Sequence, residues 1–311
     1  MSTVAMFAAG EERWAQYERP LRDAFAEKRL EVELTRAPGD PAEVDYMIFA
    51  PGGPLTDFTP FTGLKAVLNL WAGVEDIVDN ETLRVPLARM VDEGLTEGMV
   101  EWVTGHVLRH HLGMDAQICR QDGVWRHNVP PLARDRAVGI LGLGALGQAC
   151  AAALAALNFR VGGWSRSPKA FDGITSHHGE DGLAELLADS DILVLLLPLT
   201  PQTENLLDAQ RLALMPEGAV LINPGRGQLI DDDALLAALD RGHLGHATLD
   251  VFREEPLPAA HPFWAHPRVT VTPHIASETR PMSAARLIAE NIRRGEAGEP
   301  FLHLVDRARG Y

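Results

Sequence analysis

The chain has 311 residues, 46% hydrophobic and 23% charged, a globular mix long enough for two domains and unlike a disordered segment. Its formal net charge of −15 repels phosphate backbones and anionic lipid, so neither nucleic acid nor a membrane is an expected partner. Two cysteines, Cys119 and Cys150, make neither a disulfide framework nor a metal-ligand cluster; they fit a reducing cytoplasm, and no metal site is expected.

The opening "MSTVAMFAAGEERW" has no basic region followed by a long apolar core, so it does not read as a signal peptide. Residues 4–9, 31–36, 46–50 and 66–71 read as strands, and 11–28 as a helix between the first two. Together they form a small α/β unit. The loop "FAPGGPLTDF" follows the third strand and carries Pro51-Gly52-Gly53. It reads either as a roomy substrate mouth or as a plain strand-to-helix connection.

A helical stretch at 96–114 leads into a second series. Strands are expected at 137–141, 160–164, 192–197, 219–224, 247–252 and 269–273, with an Ala-rich helix at 145–158. An amphipathic helix over 232–242 closes at Gly242, and a further helix covers 283–298. The longest apolar run, "ILVLLLPL", is far too short to span a bilayer and reads as a strand buried on both faces. Strand–helix alternation of this kind predicts a doubly wound α/β fold. The helices flanking the second series are expected to cross between domains, with the last residues completing the N-terminal unit.

"LGLGALG" contains Gly142, Gly144 and Gly147 as G-x-G-x-x-G, directly after an expected strand and opening a helix. In that context the motif points to a dinucleotide: Gly142 for a tight turn, Gly144 for close approach of a pyrophosphate, Gly147 for helix–strand packing. About twenty residues on, a carboxylate would normally grip a ribose hydroxyl. Here "GGWSRSPKA" offers Ser165, Arg166, Ser167 and Lys169 and no acid. A guanidinium fork, two hydroxyls and an ammonium suit a 2′-phosphate, so the stretch is read as selecting NADP(H). The alternative is a polar surface turn at Pro168.

Three later strand ends carry reactive side chains. Arg226 lies in "NPGRGQ", Asp250, Glu254 and Glu255 in "LDVFREEP", and His274 in "VTPHIAS". Arg, Glu and His suit reduction of a 2-keto acid. Arginine holds the carboxylate and polarises the keto oxygen, histidine protonates that oxygen, and glutamate fixes the histidine's tautomer and raises its pKa. Glu254 competes with Glu255 for the last role.

With "WSRS", "LPLTPQTENLL", "NPGRGQLIDDDALLAALDRGHLGHATLDVFREEPLP", "HPFWAHPRVTVTPHIA" and the tail "VDRARGY", nearly the whole chain resembles the D-isomer-specific 2-hydroxyacid dehydrogenase family, and within it the glyoxylate/hydroxypyruvate reductase A branch. The resemblance implies a Rossmann nucleotide domain at 98–279 and a smaller, discontinuous flavodoxin-like substrate domain from 1–97 and 280–311. It implies Arg226, Glu255 and His274 as the catalytic set. "LWAGVED" resembles the family's substrate loop, whose amides at Ala72, Gly73 and Val74 would join Arg226 and His274 around the substrate. Ala145, Leu146, Leu197, Pro198, Thr203, Asn223, Pro224, Gly225 and Ala276 would line the cofactor, with Asp250 beside the nicotinamide. Also implied are NADP(H) in preference to NAD(H), small 2-keto acids such as glyoxylate and hydroxypyruvate, D products, and a homodimer formed through the nucleotide domain. Two alternatives stay open: an NAD-linked dehydrogenase of a larger hydroxy acid, and a non-enzymatic dinucleotide sensor.

Overall fold

The computed structural model describes residues 3–53 and 55–311. Met1 and Ser2 of the opening stretch and Pro54 of the glycine-containing loop lie outside the described residues. The chain forms two compact units, one from Met1–Leu95 with Glu278–Tyr311, the other from Thr96–Ser277.

The first unit holds a five-stranded, all-parallel sheet: β1 (Thr3–Ala8), β2 (Val32–Thr35), β3 (Tyr46–Phe49), β4 (Ala66–Asn69) and β5 (Leu87–Ala88), in the order 2-1-3-4-5. That is the flavodoxin-like winding. Helix α1 (Glu11–Glu27) buries Tyr17, Leu21, Ala24 and Phe25, a stripe at helical spacing. The stripe shares a core with Ala284, Ile288 and Ile292 of α8 (Pro281–Glu296) on one face of the sheet. Phe58, Phe61, Leu64, Val74, Ile77 and Leu83 cover the other face. The C-terminal tail seals the β5 edge: Val305 N–H donates to Leu87 O at 2.8 Å, and Arg307 reaches the carbonyls of Val78, Asn80 and Leu83.

The second unit holds seven parallel strands: β6 (Ala137–Leu141), β7 (Arg160–Trp164), β8 (Thr175–His177), β9 (Ile192–Leu195), β10 (Ala219–Asn223), β11 (Leu244–Leu249) and β12 (Val269–Val271). Their order is β12-β11-β10-β9-β6-β7-β8. Counted from β6 this is the Rossmann order 3-2-1-4-5-6 with one strand added, and its winding reverses between β6 and β9. Helices α2 (Glu93–His111) and α4 (Ala145–Ala156) contribute to the core on one face. Helices α5 (Gly179–Asp189), α6 (Ala209–Leu212) and α7 (Asp232–Asp240) pack on the other. A short α3 (Met114–Cys119) follows α2.

Several features depart from the sequence expectation, among them β5, α3 and α6, which were not foreseen. β11 begins at Leu244 rather than 247, because Gly245 fits beside Gly218, where a Cβ would stand 2.5 Å from a carbonyl oxygen. The short polar β8 and the helix α5 were not foreseen. Of the two flanking helices, α2 holds the unit boundary in its first turn, whereas α8 lies wholly within the first unit.

Candidate active site

In an open parallel sheet, ligands gather at the carboxyl ends of the strands beside the reversal of winding. In the second unit the first such end is the glycine loop after β6. Gly142 has φ +107°, and a Cβ there would sit 2.6 Å from Leu196 O. At Gly147 a Cβ would come within 1.8 Å of Gly142 O, so only glycine lets α4 pack this close. Gly144 differs: nothing lies within 4 Å of where its Cβ would be, and it precedes Ala145 and Leu146 in the first turn of α4. An open glycine at the start of a twelve-residue helix suits an anionic pyrophosphate.

The β7 end lies next to it. Ser165 is buried and donates its hydroxyl to Ser167 O at 2.8 Å, shaping the turn that leaves Arg166 and Ser167 at the surface. Lys169 Nζ donates to Leu143 O at 2.8 Å, which ties the turn to the glycine loop. After β9, Leu197 is buried, and the Thr203 hydroxyl donates to Pro198 O at 2.7 Å. After β10, buried Asn223 accepts from Gly225 N–H and donates to Arg226 O, so its side chain closes the loop through Pro224 that presents Arg226. Glycines are forced on both sides, since a Cβ at Gly225 would meet Leu195 O at 2.9 Å and one at Gly227 would meet the Phe252 backbone at 2.1 Å.

Glu255 and His274 come together. Glu255 Oε1 accepts from Phe252 N–H at 2.8 Å, and its Oε2 lies 2.7 Å from His274 Nδ1. A carboxylate only accepts, so Nδ1 carries a proton and Nε2 is left for chemistry. The neighbouring Glu254 is exposed and makes no such contact. The bond to Glu255 raises the His274 pKa, against burial and the charge of Arg226. Burial pushes Glu255 upward, but its bonds to His274 and Phe252 N–H outweigh that and hold it below the ordinary carboxylate value.

Asp250 is fully buried and its two oxygens take three donors. Oδ1 accepts from Thr272 Oγ1 at 2.5 Å and from Ile275 N–H at 2.9 Å; Oδ2 accepts from Ala276 N–H at 2.8 Å. Its carbonyl accepts from His274 N–H at 2.8 Å. These bonds hold His274 in the left-handed region, at φ 54°, a conformation costing a non-glycine residue about 1–3 kcal/mol.

In the first unit, Ala72, Gly73 and Val74 follow the end of β4. None of their three N–H groups has an acceptor among the described residues. Gly52, in the loop after β3, has φ +86°. Sequence reasoning missed Thr272, whose hydroxyl completes the Asp250 cluster, and Asn69, which directs the carbonyls of the 71–74 loop. For Asn69 the available signal was an amide interrupting an otherwise apolar strand. Among the described residues no group of three or more His, Cys, Asp or Glu could hold a metal ion, and no helix is long and apolar enough to cross a membrane.

A Rossmann sheet with an open glycine loop, and a carboxylate-oriented histidine four strands across the sheet from it, define an oxidoreductase of the dinucleotide-binding class. Residues 103–276 match the family model "D-isomer specific 2-hydroxyacid dehydrogenase, NAD binding domain". The chain belongs to the D-isomer specific 2-hydroxyacid dehydrogenases. It is 43% identical, over 91% of its length and 94% of the relative's, to glyoxylate/hydroxypyruvate reductase A of Serratia proteamaculans (strain 568). Two solved structures match all of this chain and all of theirs. One is the Xanthobacter autotrophicus Py2 D-isomer specific 2-hydroxyacid dehydrogenase in complex with NADPH and MES, at TM-score 0.93 and 43% identity. The other is the NADPH-dependent glyoxylate/hydroxypyruvate reductase of Sinorhizobium meliloti in complex with NADP and sulfate, at TM-score 0.86 and 35% identity.

Proposed function

We propose that this protein is an NADPH-dependent reductase of small 2-keto acids, with glyoxylate and hydroxypyruvate as its first substrates. The observation that carries the reading is the 2.7 Å contact between Glu255 and His274, which fixes a proton on Nδ1 and leaves Nε2 for chemistry at a strand end where the charge of Arg226 is also felt. The relatives' NADPH-dependent keto-acid chemistry supports it.

In this reading the second unit is the nucleotide domain and the first the substrate domain. The glycine loop and α4 hold the pyrophosphate, with Leu197, Pro198, Thr203, Asn223, Pro224, Gly225 and Ala276 along the rest of the cofactor. Arg166, aided by Ser165, Ser167 and Lys169, meets the 2′-phosphate. Bound there, the reduced cofactor supplies hydride to the keto carbon. Arg226 draws the substrate carboxylate and polarises the keto oxygen. In the first unit, the amides of Ala72, Gly73 and Val74 offer donors suited to a substrate carboxylate. As carbon accepts the hydride, His274 gives the Nε2 proton to the developing alkoxide, while Glu255 stabilises the imidazolium before transfer and keeps the ring in place. Asp250 serves by fixing the loop that carries His274.

The partner reading is a homodimer in the cytoplasm. Ile118, Val124, Trp125, Val129 and Leu132 stand exposed, Trp125 at 92%, an apolar run that a second copy of the chain would cover.

Initial rates with glyoxylate and hydroxypyruvate, each with NADPH and then NADH, test the function. Turnover of either acid with strong preference for NADPH is expected. Turnover with no preference would reduce "WSRSPK" to a surface turn, and no turnover of either acid would overturn the substrate assignment.

A further inference from the structure

The three N–H groups of the 72–74 loop are useful only if something keeps their carbonyls turned away. In the first unit one buried side chain does this. Asn69 is the last residue of β4 and is 1% exposed. Its Nδ2 donates to Trp71 O at 2.9 Å and to Gly73 O at 2.9 Å. Two carbonyl partners settle the orientation of the amide, since only the –NH2 end can donate to both.

The consequence follows from peptide geometry. In a planar trans peptide the N–H points opposite to the C=O of the same unit. The Trp71 carbonyl shares its plane with Ala72 N–H, and the Gly73 carbonyl shares its plane with Val74 N–H. Drawing both carbonyls to one side chain turns both N–H groups to the opposite side. Met90 N–H adds a second donor to Trp71 O at 3.0 Å, and Thr279 Oγ1 donates to Leu70 O at 2.8 Å, so the strand exit is braced on both sides. Asn69 Oδ1 is buried with no partner among the described residues. An apolar residue of similar volume would leave no such orphaned acceptor, so the amide is kept at a cost that the two donated bonds must offset.

We infer that Asn69 is a positioning residue for substrate recognition. It presets the Ala72 and Val74 amides as a pair of donors for a carboxylate and does not touch the substrate itself. Preset donors avoid the cost of ordering a loop at each binding event, so the effect belongs in KM for the keto acid and little of it in hydride transfer. The inference rests on the reading that these amides meet the substrate carboxylate, and the test separates the two.

With selectively 15N-labelled protein saturated with NADP+, oxalate is titrated as a two-carbon carboxylate probe. Movement of the Ala72 and Val74 amide resonances is expected; their failure to move would overturn the loop reading and the inference together. Asn69→Asp then keeps the shape and removes the paired donors. KM for glyoxylate should rise about tenfold or more, the worth of one or two bonds to an ionic group, with KM for NADPH unchanged and kcat within about threefold. The ratio of variant to wild-type KM should climb with pH as the introduced carboxyl ionises, faces two carbonyls and repels the substrate. If the amides respond to oxalate while Asn69→Asp leaves KM for glyoxylate unchanged at every pH, Asn69 does not position the loop. Should that variant fail to fold, Asn69→Ser, which keeps one short donor, takes its place. A smaller rise in KM for glyoxylate alone supports the assignment, and an equal loss in kcat and in both KM values overturns it.

Discussion

Glu255 Oε2 and His274 Nδ1 stand 2.7 Å apart, and the carboxylate is itself anchored by Phe252 N–H at 2.8 Å. The histidine is therefore oriented by a group that cannot swing away without breaking a backbone bond. His274→Ala should lower kcat by about two to four decades, the usual worth of a general acid. Glu255→Gln should act mainly on pH dependence. The Glu255 bond is the largest influence raising the His274 pKa, and reduction needs the protonated ring. Without that carboxylate the imidazolium is lost sooner as pH rises, so the alkaline limb of kcat/KM for glyoxylate should move to lower pH. An unmoved limb would assign the proton to another group.

Asp250 tests whether the loop's shape matters apart from the proton donor. Three donors from Thr272, Ile275 and Ala276 converge on its carboxylate, and none belongs to His274's ring. Asp250→Asn puts an –NH2 against backbone N–H groups and should release the left-handed turn at His274. A displacement of about 1 Å at a reacting group can cost about a hundredfold in rate. Steady-state kinetics should show kcat falling on that scale, while the alkaline limb moves to lower pH by less than in Glu255→Gln, because the charge of Asp250 is the smallest of the influences raising the His274 pKa. A variant with wild-type kcat would show that the cluster serves stability alone.

How much of this was legible in the sequence depends on what each feature is made of. Buried parallel strands are continuous apolar runs, so β6, β7 and β9 are plain in "AVGIL", "RVGGW" and "ILVLLL". Gly142 and Gly147 are legible because sterics forbid any other residue at their contacts. The β8 strand "TSH" is polar and sits at a sheet edge, where no hydrophobic pattern is imposed. Helix α5 opens on Gly179-Glu180-Asp181-Gly182, which reads as a turn until Leu183, Leu186 and Leu187 are seen packed together. At the site, the sequence shows two adjacent acids and the family resemblance favours Glu255 over Glu254; the Phe252 N–H supplies the physical reason, and backbone donors have no letter in a sequence. The same is true of Asn69, whose partners are main-chain atoms, and of two of the three donors to Asp250.

The Ser165–Lys169 turn makes a separable prediction about the cofactor. Arg166→Ala should raise KM for NADPH by about 10- to 100-fold, the range for one or two bonds to an ionic group, while KM for NADH stays near its wild-type value. Lys169→Ala should act more broadly, because Lys169 holds Leu143 O in the glycine loop, and both cofactors should weaken. Equal effects of Arg166→Ala on NADPH and NADH would remove the 2′-phosphate from the assignment.

The last prediction concerns stability in acid and rests on α2 and β11 of the second unit. His110 on α2 and His246 on β11 stack with ring centroids 5.0 Å apart. His110 Nε2 meets Thr248 Oγ1 at 2.8 Å, and His246 Nε2 meets Thr270 Oγ1 at 2.9 Å. Around them stand His106 and Arg109 on α2, Asp115 on α3, and His266; Arg109 is clamped to Asp115 and to Thr270. Burial, then the neighbouring positive groups, push His110 down to about 3; burial and then Arg109 push His246 down to about 4, with Asp115 opposing in both cases. Both rings are neutral in the folded protein at pH 6, whereas the unfolded chain takes up protons from about pH 6.5 downward. The unfolded state therefore binds more protons between about pH 6.5 and 4, and acid favours it by up to about 1.4 kcal/mol per pH unit for each histidine. Melting temperatures should fall steeply from pH 6.5 to 4.5. Replacing one ring with a neutral side chain, as in His246→Gln, should lower the plateau but flatten that slope. A variant whose slope equals that of the wild type would place the acid sensitivity elsewhere in the molecule.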